Sequence, residues 1–481
     1  MTKHEKGRLV VVSNRVGPLT DDGKAGGLAV GLADALKRRG GLWFGWSGEI
    51  SEKGTFSKEK TEVFGGTALT TIDMTKDEVE GFYHGYANRS LWPLLHYRLD
   101  LVQFDRQSDR VYRSVNQRFA ARLAPLVNDD DLVWVHDYHF FYLGSELRQS
   151  GFKGRLGFFL HIPFAPPEIF TALPAAHDLV RSMLAYDLIG FQTAQDRRNF
   201  VNFCVHELGG QKLPDDRIRV GGRIVQASVF PIGIDAEGFA RFAVSPEAGE
   251  HEEMLRDLSR GRLQIVGVDR LDYSKGLVER LLGFERLLED YPENRGNVNF
   301  LQIAPLSRSE LDAYIDLRAE LEGLAGRLNG RFATLDWNPI QIMTTGFTRR
   351  ALAGIYRAAR VCMVTPLRDG MNLVAKEFVA AQDPDDPGVL ILSRFAGARA
   401  ELQDALIVNP YATDEVARAL QRALTMSLEE RQRRYQAMRE KVFHGTAAHW
   451  CGSFLAALES AELNAEWSDD RTETAGFSAP A

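Results

Sequence analysis

Cysteine is scarce in this sequence. Only three of the 481 residues are cysteine, Cys204, Cys362 and Cys451, and no two of them form a C-x-x-C pair. An odd number of widely spaced cysteines supports neither a disulfide framework nor a zinc ribbon. A reducing compartment therefore fits the chain best, and we expect a cytoplasmic protein.

Long apolar runs and an excess of positive charge are also missing. The first apolar run, Leu9 to Val12, is too short for a signal peptide, and no run approaches the length that crosses a bilayer. The formal net charge of −7 argues against a general nucleic-acid-binding surface. We therefore expect a soluble protein with neither nucleic acid nor membrane as a partner, in which local groups bind any anionic ligand.

The dinucleotide-binding fingerprint G-x-G-x-x-G is absent from the first strand-to-helix connection. The first predicted strand, residues 9–12, is followed by a polar loop and by residues 25–28, which open a helical pattern. Without the fingerprint, a nicotinamide-dependent oxidoreductase is disfavoured. Gly26 and Gly27 allow the backbone to approach a ligand closely, although a loop that needs flexibility is an equally good interpretation.

What the sequence does contain is two successive series of short apolar runs, each typical of a buried parallel strand. Strands are predicted at residues 9–12, 43–46, 132–136, 157–160, 188–191, 264–268, 300–304, 332–335, 361–364, 389–392 and 405–408. Charged helical patterns follow each series. The repetition predicts one α/β architecture built twice along the chain.

We predict an α/β protein with two facing Rossmann-like domains, at residues 1–235 and 236–450. A C-terminal helix and a loose polar tail are expected at 451–481. Because ligands in open α/β sheets bind at the carboxyl ends of the strands, a site in the cleft between the domains is expected.

One corner of the second half is predicted to bind a ligand. Asp369-Gly370 supplies a tight turn after the strand 361–364, and Asn372 is a suitable N-cap for the helix that follows. The free backbone N–H groups of the first helical turn attract anions. Asp369 and Glu377 add two carboxylates. An ordinary capped helix after a core strand would show the same pattern, so this corner alone does not decide the function.

Basic residues follow two other strands of the second half. Arg270 and Lys275 resemble a diphosphate clamp, because a guanidinium fork and an ammonium bind different oxygens. Farther along, Ser307 and Glu310 have the spacing of a capping box. Arg308 between them is either a helix-entry charge or a phosphate contact.

Three strands of the first half end in polar side chains, Arg15, Asp137 and His161. Their convergence at one sheet edge indicates a site. His136 and His139 beside Asp137 could in principle bind a metal, but no further ligand has a recognisable spacing. We therefore predict no metal and interpret Asp137 as a hydrogen-bond acceptor.

The segment 83–98 is dense in aromatic and hydrogen-bonding side chains. Such a mixture suits a carbohydrate, whose C–H faces stack on rings while its hydroxyls bond polar groups. An aromatic core helix with polar edges is the alternative interpretation.

Eight motifs, in unbroken order, resemble those of trehalose-6-phosphate synthases. They are Ser13-Asn14-Arg15, Gly26-Gly27-Leu28, Trp43-Phe-Gly-Trp-Ser-Gly48, His136-Asp-Tyr-His139, Phe158-Phe-Leu-His-Ile-Pro163, Gly190-Phe-Gln-Thr193, Arg270-Leu-Asp-Tyr-Ser-Lys-Gly276 and Arg368-Asp-Gly-Met-Asn-Leu-Val-Ala-Lys-Glu377. That family consists of retaining glycosyltransferases with the two-domain B-type fold. The resemblance implies transfer of glucose from UDP-glucose to glucose-6-phosphate, giving α,α-trehalose-6-phosphate and UDP, with no cofactor.

The resemblance also implies a role for individual residues. The catalytic set would be His161, Arg270, Lys275 and Asp369. The acceptor would be held by Arg15, Tyr83, Trp92, Asp137 and Arg308. The donor would be held by Gly26, Gly27, Arg270, Lys275, Phe347, Asp369, Leu373, Val374, Ala375, Lys376 and Glu377. Family members are often dimers or tetramers, so a homo-oligomer is expected.

Two further classes share this motif set. Glucosylglycerol-phosphate synthases use ADP-glucose and glycerol-3-phosphate, and pseudo-glycosyltransferases join unusual donors, so the donor base and the acceptor stay open. A non-catalytic sugar-phosphate sensor would keep the cleft without turnover. It is disfavoured because the charged residues Arg270, Lys275, Asp369 and Glu377 are all present.

Overall fold

A computed structural model describes residues 7–16, 32, 35–36, 39–51, 59–64, 66–308 and 310–463. Gly26 and Gly27 lie outside these residues, as does most of the helical pattern after them. The strands form two sheets, one between residues 9 and 229 and the other between 263 and 408. The predicted α/β class with two Rossmann-like halves is confirmed. Within the described residues, no helix is both long and apolar enough to cross a membrane.

The N-terminal sheet is mostly parallel. Its strands are β1 (Leu9–Arg15), β2 (Gly41–Ser51), β3 (Lys60–Phe64), β4 (Thr67–Thr75), β5 (Leu132–His136), β6 (Arg155–Leu160), β7 (Leu188–Phe191), β8 (Gln211–Lys212), β9 (Arg217–Val220) and β10 (Arg223–Val229). The order is β3-β4-β2-β1-β5-β6-β7-β10-β9-β8, and only β3, β8 and β9 pair antiparallel, at the two edges. Alternate residues of β1 enter different cores, which explains its continuous apolar run.

The C-terminal sheet is entirely parallel. Its strands are β11 (Leu263–Val268), β12 (Val298–Ile303), β13 (Ile340–Met343), β14 (Val361–Val364), β15 (Val389–Ser393) and β16 (Leu406–Val408). They lie in the order β13-β12-β11-β14-β15-β16. The chain therefore leaves β11 in one direction and returns to β14 on the other side, which makes the gap between them the switch point where ligands bind.

Two local predictions in this half are wrong. Residues 332–335 form no strand, because Phe332 ends a long helix and Leu335 is fully exposed, and the edge strand is β13 instead. The capping box at Ser307 and Glu310 is also absent. The helix begins later, at Asp312, and its N-cap, Leu311, makes no side-chain bond. Spacing alone could not show that the helix begins only at Asp312.

The helices cover both faces of each sheet. The α-helices with complete bounds are Lys76–Glu78, Trp92–Leu95, Arg106–Leu123, Leu143–Gln149, Pro167–Phe170, Ala176–Met183, Ala194–His206, Ala236–Ala243, Pro246–Ser259, Leu277–Asp290, Asp312–Phe332, Arg349–Ala358, Leu373–Ala381, Thr413–Thr425, Leu428–His444 and Ala447–Ser460. A π-helix, Val79–Leu91, occupies much of the aromatic segment. Tyr86 and Leu91 of that segment are core residues, as the alternative interpretation expects, whereas Tyr83 is only partly buried.

The chain crosses between the two sheets twice. The second crossing leads into the helix Ala447–Ser460, which packs on the N-terminal sheet, where the ring of Phe454 stacks on Trp134 at 4.4 Å. The N–H of Ala447 donates to the carbonyl of Ile234 at 3.1 Å, so the crossings run side by side. The predicted boundary at residue 450 falls inside this helix.

Candidate active site

Lys275 and Asp369 meet at the switch point of the C-terminal sheet. Lys275 Nζ donates to Asp369 Oδ2 at 2.5 Å, and both side chains are largely buried, at 12% and 13% exposure. Gly276 has a φ of 62°, which allows the turn between the Lys275 loop and the next helix. Burial opposes ionisation of Asp369, but the ammonium of Lys275 holds its pKa below the usual value. The two predicted residues therefore form one charged unit.

A helix start lies directly beside this pair. Asn372, at a φ of 80°, caps the helix Leu373–Ala381 by accepting from the N–H of Ala375. Its amide also donates to Asp369 Oδ2 at 3.0 Å. The N–H groups of Leu373 and Val374 donate no bond to this cap, and both residues are partly exposed. The positive end of the helix dipole thus opens next to the Lys275 ammonium, which suits a diphosphate.

Glu377 lies one turn farther along the same helix. Burial raises the pKa of its carboxyl to about 7, and the nearby Arg349 guanidinium opposes that rise. Phe347 lies just before Arg349 in the sequence, and its ring packs edge to face against that of His251, with the ring centroids 6.2 Å apart. The start of the helix Arg349–Ala358, which directly follows Phe347, is therefore near Glu377.

The side chain of Lys376 does not serve this pocket. It is 1% exposed, and its Nζ donates to Glu401 Oε2 at 2.6 Å and to the carbonyl of Ile232 at 2.8 Å. Ile232 belongs to the crossing between the two sheets. The ammonium of Lys376 is thus committed to the connection between the domains, and a donor contact of this residue stays a prediction.

Arg308 crosses the cleft. Its side chain is 6% exposed and stacks on Trp92, with Cζ 3.9 Å from the ring centroid. Its guanidinium donates to Tyr314 at 2.5 Å and to Asp272 at 3.3 Å, both in the C-terminal half. A third bond, 3.1 Å long, reaches the hydroxyl of Tyr138 in the N-terminal half. Arg308 and Trp92, both predicted to bind the acceptor, therefore form one stack.

Arg270 is exposed on the loop before Lys275, and its Cζ lies 5.8 Å from the Trp92 ring. Lys275, Asp369 and the start of the helix Leu373–Ala381 together form what we call the donor corner. Arg270 faces the space between this corner and the stack of Arg308 on Trp92. Burial opposes ionisation of Asp272, but Arg308, Arg270 and Lys275 lower its pKa to about 2. The three cations therefore act on one small region.

Arg15 and Tyr83 form a second group on the N-terminal side. The Arg15 guanidinium lies 4.6 Å from the ring centroid of Trp46, and the Trp46 and Tyr83 rings are 6.1 Å apart. Tyr83 stacks on His139 at 5.9 Å. Burial, together with Arg308, lowers the pKa of His139 to about 3, so this group and the Arg308 stack are close neighbours.

Asp137 and His161 lie together at the tips of β5 and β6. Asp137 has a φ of 75°, and its Oδ1 accepts from the His161 N–H at 3.2 Å. Burial raises the pKa of Asp137 to about 6, although the N–H groups of Tyr138 and His161 oppose that rise. Burial lowers the pKa of His161 to about 3, and its Nε2 lies 3.0 Å from His136 Nδ1. Both histidine rings are therefore neutral at neutral pH.

The two histidines considered as metal ligands, His136 and His139, are both buried. No group of three or more His, Cys, Asp or Glu side chains in the part of the chain that the structure describes could hold a metal ion. His139, one of the histidines considered as a ligand, instead packs between aromatic rings. The positive potential at the donor corner comes from side chains and from a helix start.

The profile of glycosyltransferase family 20 matches residues 10–460. This chain belongs to that family. A trehalose-6-phosphate synthase from Sodalis glossinidius is 48% identical over 462 residues, which are 95% of this chain and 97% of the relative. The resemblance that the motifs indicated is therefore confirmed.

Solved structures of family 20 share the whole architecture. An α,α-trehalose-phosphate synthase (UDP-forming) from Burkholderia xenovorans in complex with glucose-6-phosphate matches with a TM-score of 0.90 and 47% identity, over 94% of this chain and 100% of that chain. A structure from E. coli, described as bound with UDP-2-fluoro glucose, matches with a TM-score of 0.91 and 46% identity, over 94% of this chain and 99% of that chain.

The structure adds residues to the predicted site of this family 20 protein. Trp46 ends the apolar part of a predicted strand, so the rule that ligands gather at strand tips could have found it. Tyr138 directly follows Asp137, and Asp272 lies inside the Arg270 motif. Tyr314 gave no signal, because it occupies an apolar position of a helical pattern.

Proposed function

We propose that this family 20 protein transfers glucose from UDP-glucose to glucose-6-phosphate with retention, forming α,α-trehalose-6-phosphate and UDP. One observation carries the proposal. Two sets of cationic groups face the same cleft, the Lys275 corner with its open helix start and the group around Arg15 and Arg308. Two phosphorylated substrates need two such sets. Relatives 46% to 48% identical over nearly the whole chain carry the name trehalose-6-phosphate synthase.

The donor corner would hold UDP-glucose. Arg270, Lys275 and the N–H groups of Leu373 and Val374 bind the diphosphate, with Gly26, Gly27 and the backbone of Ala375 alongside. The Glu377 carboxylate accepts hydrogen bonds from the ribose hydroxyls, and Phe347 lies against the uracil. Asp369, oriented by Lys275 and Asn372, accepts hydroxyls of the transferred glucose. The structure from E. coli described as bound with UDP-2-fluoro glucose supports this assignment.

The opposite group would hold glucose-6-phosphate. Arg15, Tyr83 and Arg308 bind the phosphate, since guanidinium forks match phosphate oxygens. Asp137 and Trp92 place the sugar ring, with one carboxylate for hydroxyls and one ring for C–H faces. The Burkholderia xenovorans structure, which is a complex with glucose-6-phosphate, supports this assignment.

Neither Asp369 nor His161 is placed as a nucleophile in this proposal. Asp369 is committed to Lys275 and Asn372, and Nε2 of His161 lies 3.0 Å from Nδ1 of His136. The reaction therefore proceeds on one face of the sugar: the bond from the anomeric carbon to the phosphate oxygen breaks as the bond to the acceptor oxygen forms. The acceptor hydroxyl proton passes to the departing phosphate oxygen. Arg270 and Lys275 stabilise the negative charge that develops on UDP, and positioning supplies the rest.

One assay tests the proposal. UDP, ADP or GDP release is measured from UDP-, ADP- and GDP-glucose, each with glucose-6-phosphate and with glycerol-3-phosphate, and the product linkage is read by NMR. We expect UDP release that requires glucose-6-phosphate and an α,α-linked product. Turnover only with ADP-glucose and glycerol-3-phosphate would indicate a glucosylglycerol-phosphate synthase. No release with any pair would favour a sugar-phosphate sensor.

We also propose that the protein acts in the cytoplasm as a homodimer or homotetramer. The small number and wide spacing of the cysteines support the compartment, and the family membership supports the assembly. Light scattering coupled to size-exclusion chromatography tests the assembly, and a monomeric mass at assay concentration would contradict it.

A further inference from the structure

A fully buried arginine lies beneath the loop that carries Arg270 and Lys275. Arg280 is 0% exposed, although it sits in the first turn of the helix Leu277–Asp290. Burying a guanidinium is costly unless most of its N–H groups are bonded. The groups that bond the Arg280 guanidinium therefore indicate its role in the fold.

The Arg280 guanidinium is bonded on every side. It donates to Asp269 at 2.7 Å, to the carbonyl of Lys275 at 3.3 Å, to Thr365 at 2.9 Å and to Gln302 at 3.0 Å. Asp269 and Lys275 follow β11, Gln302 lies in β12 and Thr365 follows β14. One side chain thus fixes three neighbouring strands at the switch point.

The sheet leaves room for this group at Gly267. A Cβ there would lie 2.5 Å from Gln302 Oε1 and 2.7 Å from Arg280 Nη1. Gln302 is itself oriented, since its amide donates to the carbonyl of Gly267 at 3.1 Å. One acceptor of Arg280, Gln302, is therefore built into a strand, and Asp269 and Thr365 directly follow the ends of two others.

The network continues from Arg280 to the donor corner. Asp269 accepts from Arg280 with one oxygen and, with the other, from the Asn372 amide at 3.4 Å. The same Asn372 amide bonds Asp369, which bonds Lys275. Burial raises the pKa of Asp269, and the cations Arg280 and Lys275 oppose that rise. The network closes at Lys275, because the Arg280 guanidinium also donates to the Lys275 carbonyl.

We propose that Arg280 is a positioning residue for the donor diphosphate. It holds the Lys275 loop and the Asn372 cap in fixed register, so that the ammonium and the open helix start face the same phosphates. The inference rests on the proposed function and deepens it, because no contact between Arg280 and substrate is involved. Lysine cannot replace it, since one ammonium cannot bond four acceptors in the plane of a guanidinium fork.

The test is Arg280→Lys, with Arg431→Lys as a matched control. Arg431 is also buried in the C-terminal half, at 7% exposure, but its guanidinium bonds Asp386 and the carbonyl of Pro387, remote from the cleft. Calorimetry measures binding of UDP and, separately, of glucose-6-phosphate, and thermal unfolding confirms that each variant is folded. We expect Arg280→Lys to weaken UDP binding at least about tenfold and to leave glucose-6-phosphate binding unchanged. Arg431→Lys should change neither.

A second variant and a second readout keep the outcome interpretable. Thr365→Val removes one acceptor of Arg280 and should weaken UDP binding in the same direction by a smaller factor, even if Arg280→Lys does not fold. UDP affinity that is unchanged in both variants would overturn the inference. A wild-type protein that binds no UDP would contradict the proposed function instead. Crystal structures would then decide the positioning role: a displaced Lys275 loop in Arg280→Lys supports it, and an unmoved loop overturns it.

Discussion

The backbone of Gly370 lies against the carbonyl group of His161. A Cβ on Gly370 would stand 2.2 Å from the His161 oxygen and 3.0 Å from its carbonyl carbon. Gly370 follows Asp369 in the donor corner, and His161 follows β6 in the other half. The two halves thus approach each other backbone to backbone at this point, next to the residues that we expect to surround the reacting carbon.

We predict that Gly370→Ala lowers kcat/KM by at least about a hundredfold, because the new methyl must push the Asp369 turn away from His161. Steady-state kinetics measures this. Gly323→Ala is the control, since a Cβ on that exposed helical glycine meets nothing within 4 Å. It should keep full activity and slightly raise stability. A fully active Gly370→Ala protein would show that the two halves need not meet this closely.

Removing the cations of the donor corner should slow turnover. Arg270→Ala and Lys275→Ala are each expected to reduce kcat by at least about a hundredfold, the scale for loss of one group that stabilises transition-state charge. UDP release at saturating substrates measures this, with Lys212→Ala on the exposed strand β8 as the control. Near-normal rates in both variants would contradict the assignment of the corner to the leaving diphosphate.

Glu377 predicts a pH dependence of donor binding. Its carboxyl has a pKa of about 7, so below that pH it is protonated and a weaker acceptor for two ribose hydroxyls. UDP affinity should therefore fall between about pH 8 and about pH 6, by up to about tenfold per unit below the pKa. Calorimetry on the wild type and Glu377→Gln isolates this effect, since titration of UDP itself is common to both. Parallel pH profiles would contradict it.

The same group has a consequence for stability. The pKa of the Glu377 carboxyl in the folded protein is raised above its ordinary value. Its contribution to the free energy of unfolding is therefore present at low pH and is lost as the pH rises through about 7. Relative to the wild type, Glu377→Gln should therefore be more stable at about pH 8 than at about pH 5. Urea unfolding at the two pH values measures the difference, and a constant offset would show that the carboxyl is ionised as usual.

Lys376→Met should destabilise the protein by about 3 kcal/mol, because it leaves Glu401 and the Ile232 carbonyl without their buried partner. The double variant with Glu401→Gln should recover part of the loss. Lys441→Met, at an exposed helical position, is the control. Urea unfolding measures all three. If Lys376→Met instead keeps its stability and loses only UDP affinity, the ammonium contacts the donor after all.

Arg308→Lys should affect the acceptor and spare the donor. Lysine retains the charge but cannot reach phosphate, Tyr138 and Tyr314 from one planar group. We expect the KM for glucose-6-phosphate to rise at least about tenfold while the Kd for UDP stays constant. Kinetics with glucose-6-phosphate and calorimetry with UDP separate the two effects. An equal loss for both ligands would indicate that Arg308 only supports the fold.

Much of the fold could be predicted because parallel strands buried on both faces need continuous apolar runs. Residues 9–12 and 361–364 are such runs, and both are fully buried. The strand-tip rule then placed Arg15, Asp137, His161 and Lys275 at the correct sheet edges. The same reasoning failed at residues 332–335, where a short apolar run lies at the end of a helix and Leu335 faces solvent.

By itself, then, the sequence determined the class of fold, the two halves, the family and the local corner around Asp369. Only the tertiary structure decided which distant groups pair, because a contact such as Lys275 with Asp369 spans 94 positions and depends on how β11 and β14 lie side by side. The tertiary structure also decided that the side chains of Lys376 and Glu377 have different surroundings. Successive residues of a helix point about 100° apart, so one side chain enters the joint between the domains while the next borders the cleft.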